Sequence, residues 1–140
     1  MNKIDELKKI AAQRRADAVT MITCADLLRN TPVEEPVALG RRRFGGHGIY
    51  RFCNPWDREI SGWRGIPYGA LKARGVNNLL AGGRAIGAET QALSAIRMMP
   101  CCMATGLAAG TAAALSVPAG VLPSYADLRK CLLKQNAILI

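Results

Sequence analysis

The residues best suited to chemistry in this 140-residue chain lie between Gly82 and Cys102. Gly82 and Gly83 permit backbone conformations and close approaches that a Cβ would obstruct. Arg84 follows at once and could set a fixed positive charge beside a phosphate or an electron-rich carbonyl. A helix is expected to open near Pro100, where the missing proline N–H costs nothing. Met98 and Met99 precede it, so no Ser, Thr, Asp or Asn stands at the cap and the first N–H groups lack a side-chain acceptor. A ligand could supply one, and the partial positive charge of a helix start suits an anion or a carbonyl. The vicinal pair Cys101 and Cys102 could be redox-active at a helix start, although free cysteine more commonly packs as a small buried side chain.

Other candidates are weaker. Arg41, Arg42, Arg43 and Arg51, interleaved with Phe44, Tyr50 and Phe52, could hold single-stranded nucleic acid by charge and stacking. A solvated hairpin with inward-packed aromatics is the preferred reading, because they form no known module signature. His47 is the sole histidine and is expected to be a turn residue. Five cysteines without metal-ligand spacing, and no visible targeting segment, point to a reduced cytoplasmic protein with no metal site.

The elements that must position these groups follow from periodicity. Half the residues are hydrophobic and 21% are charged, which excludes a wholly disordered chain. Helical spacing of Ile4, Leu7 and Ile10, continued by Ala18, Met21, Ile22, Leu27 and Leu28, predicts one or two amphipathic helices before Asn30. Thr31 to Pro36 reads as a linker, and Ile49 to Phe52 as a short strand. Val76 to Ala81 is predicted to be a buried strand ending in Gly82 and Gly83. The helix from Pro100 should run to about Val117, stopped by Pro118 and Gly120, with Gly106 and Gly110 on a flat, closely packed face. Ser124 and Asp127 predict a capping box opening a last helix, with Tyr125, Leu128, Cys131 and Leu132 on one side. Met98 to Ala126 carries no charge and contains a GxxxG pair. Its small-residue content and two prolines favour a buried helix over a membrane span. The net charge of +9 would attract phosphates, nucleic acid or an anionic membrane without distinguishing them.

A family resemblance joins these pieces. Ile66-Pro67-Tyr68, the run from Gly75 to Arg84, the run from Ser94 to Gly106 with its continuation to Leu115, and the ending Leu132 to Leu139 resemble the late region of a family of FAD-dependent oxidoreductases. The resemblance covers Trp63 to Ile140. It divides the chain into residues 1–62, a helical and basic glycine-rich region, and residues 63–140, a flavoprotein carboxyl-terminal segment. It implies FAD as cofactor, and a hydride or electron pair passing between an unidentified substrate and the flavin. Carried over by position, Gly82, Gly83 and Arg84 would lie near the cofactor, with Arg97, Met98 and Met99 leading into the helix that faces it.

Departures qualify the resemblance. The family often has a His-Glu pair where Thr90 and Gln91 stand, so no catalytic base is assigned, and Cys101 replaces a usual threonine. The strand–GxGxxG–helix start that holds the FAD pyrophosphate is nowhere in the chain, and Gly45-Gly46-His47-Gly48 does not substitute for it. The expectation is therefore an α/β or α+β partial flavoprotein fold, built on a strand–glycine–helix unit with flanking helices. It would be incomplete alone: either another chain supplies the missing amino-terminal half, or this is a fragment or a degenerate relative. A small basic nucleic-acid-binding protein is the alternative, and a membrane-anchored helical protein the third.

Overall fold

The structure, a computed structural model, describes residues 17–29, 31–40 and 62–139. The expected helix over the first residues, the basic turn from Arg41 to Gly48 and the expected strand Ile49 to Phe52 lie outside them. Among the described residues are helices α1 (Cys24–Arg29), α2 (Thr90–Ile96), α3 (Met99–Ser116) and α4 (Tyr125–Lys134). Strands β1 (Pro36–Gly40) and β2 (Arg64–Pro67) pair antiparallel, with Gly40 opposite Arg64 and an irregularity between Pro36 and Ala38. The fold is α+β.

The core forms where α3 lies across β1. Val37 and Ala38 on β1, Ile66 on β2, Tyr68, and Ala108 and Ala112 on α3 are almost wholly buried. Small side chains make that packing close. A Cβ at Gly40 would lie 3.3 Å from Cγ2 of Ile96 and 3.5 Å from Sγ of Cys101. Helix α4 closes the other side through Leu128 and Leu132, and its Tyr125 hydroxyl donates to the Pro36 carbonyl at 3.1 Å. Ser124 caps α4 as expected, its Oγ accepting from the Asp127 N–H at 3.2 Å. The end of α3 also follows the sequence, with Gly120 at φ +68 donating to the Ser116 carbonyl at 2.8 Å.

Two expected elements take other forms. Ala18 to Ile22 is not helical and bends at Val19 and Thr20 between two isolated bridges. Ala18 bridges Ala73 and Ile22 bridges Ala88, with the Ile22 N–H donating to Gly87 at 3.0 Å and the Glu89 N–H donating back to Ile22 at 2.9 Å. Gly69 and Gly87 make room for this segment, since a Cβ on either would collide with Thr20 or Ala18. Tertiary bridging here overrides a helical pattern that continues only in the short α1. Val76 to Ala81 is a turn rather than a buried strand. Gly75 at φ +74 reverses the chain, Val76 and Leu79 are exposed, and only Leu80 forms a bridge, to Lys72. Residues on both sides of the 62/63 division share one core, since Ile22, Cys24 and Leu27 pack into the same cluster as Ile66 and Ile86.

Candidate functional site

Gly82 to Ala85 form the bend that the sequence singled out. Gly83 to Ala85 make one 3-10 turn, and the Ala85 N–H donates to Gly82 at 3.4 Å. Gly83 has φ +65, a left-handed conformation that a side chain would strain. The turn sits directly on α3. A Cβ at Gly82 would lie 3.3 Å from Cα of Gly106, and one at Gly83 would lie 3.7 Å from Cβ of Cys102.

One hydrogen bond fixes this contact. The Gly83 N–H donates to the Thr105 hydroxyl at 2.9 Å. That hydroxyl is placed to donate to the carbonyl of Cys101 at 3.0 Å or Cys102 at 3.1 Å. Thr105 is fully buried, so its bond serves a polar backbone group that would otherwise be desolvated without a partner. Sequence reasoning missed Thr105. The available signal was a hydroxyl residue four positions after Cys101, able to bond back along the helix, inside a run of small residues.

The start of α3 is open. Met98 takes the cap position with extended backbone and no side-chain capping bond. Pro100 has no N–H, and the Cys102 N–H returns to the Met98 carbonyl at 2.8 Å, which leaves Met99 and Cys101 as the first-turn donors a ligand could use. Met99 is 77% exposed and Met103 74% exposed. Arg97 ends α2, and its carbonyl accepts the Cys102 thiol at 3.3 Å. Arg84 is exposed within its turn. The structure thus brings Gly82 and Gly83 against the first turns of the helix that Arg97, Met98 and Met99 introduce.

Several neighbouring residues have packing or capping roles. Burial, reinforced by Cys102, pushes the Cys101 thiol up to about 12, so it holds its proton at neutral pH. That fits a packed side chain better than a reactive one. The Glu89 carboxylate accepts from the Cys24 N–H at 3.0 Å, capping α1 from across the chain. Gln91, where the resembled family often has glutamate, accepts the Cys24 thiol at 3.7 Å.

The small-residue face of α3 differs from expectation. Its packed side is Cys101, Thr105, Ala108 and Ala112. Gly106 and Gly110 face open space, where an added Cβ would meet nothing within 4 Å. Helix α3 is long and apolar enough to span a membrane by length and composition, and 28% of it is buried, so it is covered on one side only. The described residues hold no cluster of groups able to bind a metal ion.

The profile of the FAD dependent oxidoreductase family matches residues 12–134, beginning well before Trp63. No curated protein and no solved structure matches the chain. With most of its length matched, this chain belongs to the FAD-dependent oxidoreductase family, whose cofactor is FAD.

Proposed function

We propose that this chain provides the flavin-facing edge of an oxidoreductase in which Gly82, Gly83, Arg84, Arg97, Met98 and Met99 border the isoalloxazine. The observation that carries the reading is the juxtaposition of the Gly82–Arg84 turn with the exposed, uncapped start of α3. The side-chain-free faces of Gly82 and Gly83 let the turn's backbone seat directly on α3, beside a helix start that offers N–H groups and partial positive charge. FAD, when bound, takes up and gives back a hydride or an electron pair. The chain's part is to orient the ring against this edge. The helix start and the exposed Arg84 cation would favour negative charge on the ring, and Met99 and Met103 would limit water.

The pyrophosphate is held elsewhere in this reading, by a dinucleotide-binding segment outside these 140 residues, since no GxGxxG occurs among them. The chain is then incomplete as an enzyme. Purification followed by a visible spectrum tests this. The expected outcome is a colourless protein that binds added FAD weakly. A yellow protein retaining stoichiometric flavin would overturn the incompleteness.

A further inference from the structure

The two parts of the proposed flavin edge come from separate stretches of chain, with α2 between them in sequence. Where two elements pack, side chains of one usually seat between those of the other and set their register. Gly82 and Gly83 offer no side chains to do this where they lie against Gly106 and Cys102. Register there has to come from a directional bond.

Thr105 supplies it. Its hydroxyl accepts the Gly83 N–H at 2.9 Å and lies 3.0 and 3.1 Å from the Cys101 and Cys102 carbonyls, to either of which it can donate. Those carbonyls belong to the first turn of α3, the same turn whose Met99 and Cys101 N–H groups have no acceptor within the helix. The Thr105 side chain is fully buried, so solvent does not compete for either bond. Thr105 therefore ties the Gly82–Arg84 turn to the first turn of α3. The Cys102 thiol, donating to the Arg97 carbonyl at 3.3 Å, ties that first turn back to the end of α2.

From this arrangement we infer that Thr105 is a positioning residue for the flavin. Its hydroxyl fixes the distance between the Gly82–Arg84 turn and the start of α3, so that both meet one ring. It does not touch the cofactor and acts through the Gly83 N–H, a donor engaged inside the fold. This role rests on the flavin edge proposed above, and the experiment separates the two.

The affinity of the full chain for FAD is followed by backbone amide resonances, in the wild type and in variants, with urea denaturation of each in parallel. Thr105→Val keeps the shape and loses the hydroxyl. It should bind FAD about fivefold more weakly, the effect of about one net hydrogen bond. Thr105→Ser keeps the hydroxyl and should bind as the wild type does. Thr105→Cys, whose thiol is a weaker acceptor, should fall between them and carries the comparison if Thr105→Val does not fold. Ala112→Gly, further along the buried side of α3, should lose stability at unchanged affinity. Undiminished affinity in the folded Val and Cys variants, or a loss in Thr105→Ser as large as theirs, would overturn the role and leave the edge standing. Shifts absent from both Gly82–Arg84 and Arg97–Cys102 of the wild type would remove the edge, and the role of Thr105 with it.

Discussion

An alanine at Gly82 would press its Cβ to 3.3 Å from the Gly106 backbone, whereas an alanine at Gly106 or Gly110 would meet nothing. Gly82→Ala and Gly83→Ala should therefore destabilise the chain, the latter by about 1–3 kcal/mol because of its left-handed φ. Gly106→Ala and Gly110→Ala should be neutral or stabilise by up to about 1 kcal/mol through helix propensity. Urea denaturation separates these outcomes. Thr105→Val should cost about 1–3 kcal/mol by leaving the Gly83 N–H without its acceptor. The thiols predict a pH dependence. Burial pushes Cys101 to about 12, with Cys102 contributing, and Cys24 to about 11, with Glu89 contributing, both from an ordinary 9.0. The folded chain then holds thiol protons that the unfolded chain has released. This stability is complete below about pH 9 and is lost as pH rises through the folded values. Denaturation midpoints should fall above pH 9, and Cys101→Ala should flatten that decline.

At the scale of elements, what was legible in the sequence was what local chemistry decides. The capping box at Ser124 and Asp127, the stop at Gly120 and the span of α3 depend on neighbours within four residues. Ala18 to Ile22 and Val76 to Ala81 were not legible, because bridges from Ala73, Ala88 and Lys72 determine their form. The open face of Gly106 and Gly110 was hidden for a related reason. Small residues permit close packing without saying whether a neighbour is present. The Gly82–Gly83 bend could be read in advance, but its Thr105 clamp needed the tertiary contact. The cap of α3 can be tested directly. Met98→Ser would place a hydroxyl within reach of the Cys101 N–H and should stabilise the chain by about 0.5–2 kcal/mol, measured by thermal melting. The same substitution should weaken flavin binding, because the side chain would occupy a donor assigned to the ring.

For the whole molecule, family membership gives FAD as the cofactor, while the start of α3 exposes Met99 and Met103 to solvent. The exposed side of α3, beside the Gly82–Arg84 turn, is where the proposed dinucleotide-binding segment would dock. The basic run from Arg41 to Arg51 is expected to give weak nucleic-acid binding that fades at physiological salt, which a salt titration would check. Amide resonance mapping of the full chain against millimolar FAD locates the flavin edge. Saturable shifts confined to Gly82–Arg84 and Arg97–Cys102 are expected. Shifts centred elsewhere, with Gly83 and Met99 unmoved at saturation, would contradict that location.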